Sequence, residues 1–278
     1  MSDFLETMMT RRAARIASEY GDLSPADRER LACCARPVRD FAGALRERGD
    51  VAVIAEVKKA SPSAGPIAPD CDASKQALHY QDGGAAAISV LTEPESFGGS
   101  FADLSDVADA VDVPVLCKDF VIDPVQLFVA RGHGADAALL MVSVLGETIA
   151  EYMDHAVTLG LLPLVEVVSV DELRTALSAG AQVIAVNNRD LRTLKVDVER
   201  MGEVLIEAAQ TDAIVVSASG VKSRADVEAA ARSGADGVLV GETLMRATFP
   251  EDVLGELTGV GLSGDRTRDG IDARKSHR

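Results

Sequence analysis

The stretch VAVIAEV (Val51 to Val57) is an unbroken apolar run that ends in two lysines, and seven more runs of the same kind follow it. They are AAAISVL (Ala85 to Leu91), VPVLCK (Val113 to Lys118), DAALLMV (Asp136 to Val142), LPLVEVV (Leu162 to Val168), QVIAVN (Gln182 to Asn187), AIVVSAS (Ala213 to Ser219) and DGVLVG (Asp236 to Gly241). Continuous rather than alternating apolar character is the mark of parallel strands covered on both faces. Between them lie amphipathic helical stretches such as VDELRTALSAG (Val170 to Gly180) and SRADVEAAARSG (Ser223 to Gly234). A weak Gly-Ala repeat at Gly83, Gly134, Gly180 and Gly234 opens several runs, where a helix ends in a left-handed residue and the next strand begins. Eight alternating units with right-handed crossovers predict a closed α/β architecture, a single (β/α)8 barrel, and 278 residues are enough to build one.

The barrel domain is expected over residues 1–260. It includes a helical N-terminal extension of about 48 residues, in which Ser24-Pro25-Ala26-Asp27 reads as a helix start and which should cover one end of the barrel. The stretch GLSGDRTRDGIDARKSHR (Gly261 to Arg278) is polar and without apolar period, and reads as a disordered tail.

With 28 basic against 44 acidic residues the net charge is −16, and no basic stripe offsets it, which argues against nucleic acid as a partner. An anionic substrate must therefore be held by a local group of cations or backbone N–H donors. No window reaches the roughly 18 apolar residues of a membrane span, so no membrane association is expected. Cys33, Cys34, Cys71 and Cys117 form no CxxC pair or disulfide framework, which points to a reducing, cytoplasmic setting. Four scattered histidines give no metal-ligand spacing, so no metal site is expected. The expected oligomeric state is a monomer, with a docked partner enzyme left open.

In barrels of this kind the chemistry sits where the strands end. Here those ends are polar: Glu56 and Lys58 on the first, Lys118 on the third, Glu166 on the fifth, Asn187 to Arg189 on the sixth, Ser219-Gly220 on the seventh and Gly241-Glu242 on the eighth. Residues two apart on a strand share a face, so Glu56 and Lys58 point the same way, toward the mouth that Lys118 and Glu166 also reach. Two lysines and two carboxylates in one cavity form an acid/base set. The glycine turns after strands seven and eight occupy the place where barrels bind phosphate through backbone N–H groups, which predicts a phosphorylated substrate.

The runs IAEVKKASPSAG (Ile54 to Gly65), AISVLTEPESFGGS (Ala87 to Ser100), PVLCKDFVIDPVQ (Pro114 to Gln126), NNRDLRTL (Asn187 to Leu194), SASGV (Ser217 to Val221) and GVLVGETLMR (Gly237 to Arg246) carry a resemblance to the indole-3-glycerol-phosphate synthases, TIM-barrel enzymes of tryptophan biosynthesis. What the resemblance implies is a carboxy-lyase that closes the ring of 1-(2-carboxyphenylamino)-1-deoxyribulose 5-phosphate to indole-3-glycerol phosphate, CO2 and water, without a cofactor. It implies Lys118 as proton donor at the ketone oxygen, Glu166 as general base, Lys58 as partner of the substrate carboxylate, and Glu56 and Asn187 as positioning groups. It also assigns Ser61, Ser219, Gly220, Gly241 and Glu242 to the phosphate, Phe97, Phe120 and Leu139 to the aromatic ring, and Arg189 to substrate binding. Two positions depart from the family pattern. Ala218 stands where a Glu is usual and Ala60 where a basic residue is common. The alternatives are a non-catalytic phosphate-sugar binding barrel, a Schiff-base aldolase, and a phosphoribosylanthranilate isomerase, whose Cys/Asp pair would have to use Cys117, a residue expected to face away from the mouth.

Overall fold

A computed structural model describes residues 4–33, 36–189 and 198–263. Its eight barrel strands are β1 (Ala52–Val57), β2 (Ala87–Leu91), β3 (Val115–Lys118), β4 (Ala137–Met141), β5 (Leu162–Val167), β6 (Val183–Asn187), β7 (Ile214–Ala218) and β8 (Gly237–Val240), and a small antiparallel hairpin, Ala60–Ser61 with Gly65–Pro66, follows β1. Each barrel strand coincides with one of the eight apolar runs. All neighbours in the barrel are parallel, and β8 returns to β1 with Ala52 opposite Gly237 and Ala55 opposite Val240, so the sheet closes as the (β/α)8 barrel expected.

The continuous apolar runs hide a period of two. Ile54, Leu116, Leu139, Leu164, Ala185 and Val216 pack inside the barrel, while Val53, Ile88, Cys117, Leu140, Val165 and Ile184 pack outward under the helices. Both sets are apolar because both faces are covered, which is why no alternation shows in the sequence. Cys117 lies in the outer layer, as expected, with Sγ 3.6 Å from Thr92 Oγ1.

The Gly-Ala repeat has a common geometry. Gly84, Gly134, Gly180 and Gly234 all have φ between 84° and 91°, and the alanine after each donates its N–H back to the preceding helix. In two of the repeats an aspartate follows. Asp136 and Asp236 are buried, and each accepts an N–H near the start of the preceding strand, Val115 at 2.7 Å and Val215 at 2.8 Å. A carboxylate at that place satisfies a donor that strand pairing leaves over.

The N-terminal extension forms helices α1 (Phe4–Tyr20), α2 (Pro25–Cys33) and α3 (Phe41–Arg46). The helix start at Ser24 is where the sequence put it, with Ser24 Oγ accepting the N–H of Asp27. The extension serves both ends of the barrel rather than one. Phe41 and Leu45 of α3 join the inner core with Ala52 and Ala87 at the strand starts, whereas Arg12 of α1 reaches Asp119, just past the end of β3. One end alone would have left the other set of inner residues open to water. At the other terminus Gly261 bridges to Asp50 and Val51 donates to Val260, so pairing continues past the expected tail boundary. Residues 264–278 of the tail lie outside the described residues, as do Cys34 and residues 190–194 of the NNRDLRTL motif.

The Arg12–Asp119 pair is short and almost wholly buried, 2.6 Å with side-chain exposures of 3% and 1%. Thr92 Oγ1 and the Phe120 N–H complete the Asp119 carboxylate at 2.7 and 2.8 Å. Burial pushes the Asp119 carboxyl above its usual range even against Arg12. Replacing Arg12 by Met leaves that charge without its cation and should cost roughly 3–5 kcal/mol in a denaturant titration. Arg174→Ala, which breaks exposed pairs to Asp171 and Glu207, should cost less than about 1 kcal/mol.

Candidate active site

The polar mouth is a continuation of the inner face. Two residues beyond Ile54, Leu116, Leu164 and Ala185 stand Glu56, Lys118, Glu166 and Asn187, so the pleat that points the apolar residues into the barrel points these four to its axis. They line a cavity of about 710 Å3 at the carboxyl ends of the strands. Every site residue named from the sequence lines it: the four above with Lys58, Ser61, Phe97, Phe120, Leu139, Arg189, Ser219, Gly220, Gly241 and Glu242.

Glu56 is the hub. Its carboxylate is 2% exposed, with Lys58 Nζ 2.8 Å from Oε1 and Lys118 Nζ 3.4 Å from Oε2. Burial alone would raise its pKa, but the two ammonium groups win and hold it below the usual carboxylate range. Burial likewise opposes the charge on Lys118, and Glu56 and Glu166 outweigh it, so Lys118 stays protonated beyond the ordinary lysine range. Glu166 shifts the other way. Burial raises it, Lys118 and an Asn187 hydrogen bond pull it down, Glu56 pushes it up, and the balance lies above the ordinary glutamate value. Two carboxylates in one cavity thus have their pKa values driven apart.

Asn187 Nδ2 donates to Glu166 Oε1 at 3.0 Å, and its Oδ1 accepts from Ser219 Oγ at 2.8 Å and from the Arg189 N–H at 3.0 Å. Phe97 and Phe120 form the apolar wall, their rings 6.2 Å apart and inclined at 46°. Glu242 begins the short helix after β8, and its carboxylate is paired with Arg246 at 2.9 Å.

The cavity also holds residues that the sequence reading did not single out. Glu93, 2% exposed, accepts the N–H groups of Glu95, Ser96 and Phe97 at 2.8 to 3.1 Å and so anchors the short helix Pro94–Phe97 that carries Phe97 to the wall. An acidic residue directly before a proline is a helix-start signal, and that clue was in the sequence. Phe4 of α1, Leu91, Met141, Lys222 and Arg246 line it as well. The approach of α1 had no local signal, because Arg12 and Asp119 are 107 residues apart. Five cations and five carboxylates line the mouth, so it is locally neutral within a chain of net charge −16. Among the described residues, no group of three or more His, Cys, Asp or Glu side chains is arranged to hold a metal ion.

Fold and mouth together define a (β/α)8 barrel with a cluster of buried lysines and carboxylates at the carboxyl ends of its strands. A family model for indole-3-glycerol phosphate synthase matches residues 5–257. Proteins named indole-3-glycerol phosphate synthase from Rhodococcus jostii and Mycobacterium tuberculosis are 43% and 42% identical to this chain over 258 residues, covering 92% of it and 95% and 94% of theirs. One from Streptomyces coelicolor is 44% identical over 89% of the chain and 92% of its own length. The chain belongs to the indole-3-glycerol phosphate synthase family. Solved structures of a 3-hexulose-6-phosphate synthase (TM-score 0.61, 17% identity, 74% of this chain and 98% of that one) and of tryptophan synthase from M. tuberculosis (0.58, 16%, 79% and 98%) share the barrel fold.

Gly241 has a part that its glycine turn did not suggest. A Cβ there would lie 2.4 Å from Glu56 Oε1 and 3.0 Å from Lys58 Nζ, so the end of β8 is bare to admit the Glu56–Lys58 pair. Gly241→Ala should displace that carboxylate and lower kcat/KM by about 100-fold while the protein remains folded, as checked by steady-state kinetics beside a thermal melt.

Proposed function

We propose that this cavity performs the decarboxylating ring closure of 1-(2-carboxyphenylamino)-1-deoxyribulose 5-phosphate to indole-3-glycerol phosphate. The observation that carries the reading is the division of labour among the five carboxylates of the mouth. Glu93 is committed to three N–H groups, Asp119 to Arg12 and Thr92, Glu56 to two lysines and Glu242 to Arg246. Glu166 remains, with its pKa raised toward working pH and Lys118 charged beside it. A base and an acid on one axis are what the reaction needs.

The ring carbon that bears the carboxylate attacks the C2′ ketone. The new C–C bond takes the ring electrons, the carbonyl π pair moves to oxygen, and Lys118 delivers a proton there. Lys58 pairs with the carboxylate and holds the chain folded until the C–CO2 bond breaks and its electrons restore the aromatic ring. Lys118 is recharged with a proton from solvent, and Glu166 then removes the proton from C1′ as the C2′ hydroxyl leaves as water with that second proton from Lys118; the proton on Glu166 passes to solvent and resets the base. Glu56 fixes both lysines and Asn187 fixes Glu166. The Phe97, Phe120 and Leu139 wall receives the aromatic ring, Arg189 and Ser61 meet the polar substrate chain, and the phosphate lies at Ser219-Gly220 and the Gly241-Glu242 helix start. No step calls for a cofactor.

Ala218 lines the cavity and brings no carboxylate. Because neither proton-transfer group depends on it, turnover should survive. The isomerase alternative needs an acidic thiol, and burial pushes Cys117 up to about 12 in the outer layer. No helix among the described residues is long and apolar enough to cross a membrane. The proposal includes a cytoplasmic monomer acting on a freely diffusing phosphorylated substrate.

Purified protein given the carboxyphenylamino-deoxyribulose phosphate should develop indole fluorescence, and Lys118→Met should abolish it. Near-normal turnover by Lys118→Met would remove the acid from this scheme. The pH profile follows from the shifts. Glu166 must be ionised to take a proton and its pKa is raised, so kcat should fall on acidification at a pH above the ordinary glutamate range. Glu166→Gln should abolish that acid limb together with most of the rate.

A further inference from the structure

Ser219 is the one non-glycine residue among those described whose backbone is left-handed, with φ 69°. Gly220 beside it has φ 92°, and a glycine at 219 would adopt the same region without strain. The turn is held in place from β6. Asn188 Nδ2 donates to the Ser219 carbonyl at 2.7 Å, and the Asn188 N–H donates to the Ala218 carbonyl at 2.9 Å. A strained side chain kept where glycine would be easier calls for a use of its hydroxyl.

That use is visible. The single proton of the hydroxyl goes to Asn187 Oδ1. With the Arg189 N–H also pointing at that atom, it must be the amide oxygen, and the amide NH2 is thereby turned onto Glu166. A hydroxyl with its proton committed to Asn187 has none to give a phosphate. The anion contact at this turn falls to the backbone N–H groups of Ser219 and Gly220, a turn that closes β7 at the carboxyl end of the barrel.

We propose that Ser219 is a positioning residue that couples the anion-binding turn to the general base, its backbone facing the phosphate while its hydroxyl sets the Asn187 amide that orients Glu166. This rests on the function proposed above for the identity of the base and the anion. Glu166 is faced by Lys118 from β3, Glu56 from β1 and Asn187 from β6, with uncharged Met141 opposite it on β4. Of these, Asn187 is the group whose hydrogen bond Ser219 controls. The coupling is reciprocal: whatever an anion at the turn does to the Ser219–Asn187 hydrogen bond reaches Glu166, on top of its direct Coulomb repulsion of that carboxylate.

The test is Ser219→Gly, which keeps the turn and its N–H groups, relieves the strain and deletes the hydroxyl. Three readouts separate the roles: the Glu166 titration by carboxyl carbon-13 NMR with and without inorganic phosphate, the phosphate Kd by calorimetry, and KM and kcat. The expected variant melts no lower than the parent and binds inorganic phosphate within about twofold. Its KM is little changed, its kcat falls by about 10- to 100-fold, and its Glu166 midpoint moves to higher pH. In the parent, phosphate shifts that midpoint through the Ser219–Asn187 hydrogen bond as well as by direct repulsion, and in the variant only the direct repulsion, toward higher pH, remains. An unmoved Glu166 midpoint in Ser219→Gly overturns the proposal, and with weakened phosphate binding it makes the hydroxyl a phosphate ligand only. Failure of the parent to turn over the carboxyphenylamino substrate would sink the functional reading instead, and the titration would still decide the coupling.

Discussion

The structure depends on one constraint: a closed parallel barrel sends every second residue of each strand to a common axis. Over most of the barrel's height that axis is filled by alanine, leucine, isoleucine and valine. At the last layer the same pleat delivers Glu56, Lys118, Glu166 and Asn187. Four charged or polar groups meeting there would be costly one by one, since burial disfavours each charge. Together they are tolerable because Glu56 lies between two ammonium groups and Asn187 hydrogen-bonds Glu166. The arrangement needs bare backbone at Gly241, an anchored α1, and a Ser219 turn strained in a way that fixes an amide. Features far apart in the chain thus converge on one small set of charged and polar groups.

The eight strands, the barrel and the inner or outer facing of Cys117 were legible because they follow from local pattern. The strand-end residues were legible for the same reason. A polar residue closing an apolar run is conspicuous, and the pleat then fixes its direction. The readings that needed correction or addition involve contacts between distant segments. The extension was read as covering one end, yet α1 meets the end of β3 while α3 fills the starts of β1 and β2. Arg12 carries no sign in its own neighbourhood that its partner is Asp119. Gly241 looked like a turn glycine, and its crowding by Glu56 is visible only once β1 and β8 are paired. Ser219 gave no hint of a left-handed backbone, since serine rarely takes it.

Charge shows the same division between overall and local order. The chain carries a net −16, which should repel an anionic substrate at long range. At the mouth the cations Lys58, Lys118, Arg189, Lys222 and Arg246 match the carboxylates in number, and the backbone turns add N–H donors. Recognition of a phosphorylated molecule is therefore a short-range matter of fixed donors rather than of steering, and screening salt should weaken the long-range repulsion more than the contacts inside the cavity.

The central claim is that this mouth breaks a carbon–carboxylate bond as it makes a carbon–carbon bond. The most direct measurement supplies the carboxyphenylamino-deoxyribulose phosphate with carbon-13 in its ring carboxylate and follows labelled CO2 and indole absorbance together. The account predicts one labelled CO2 for each indole formed, with no unlabelled CO2 and with indole never appearing ahead of CO2. Substrate that binds while its label stays in the carboxylate, or that is altered without CO2 release, would contradict it.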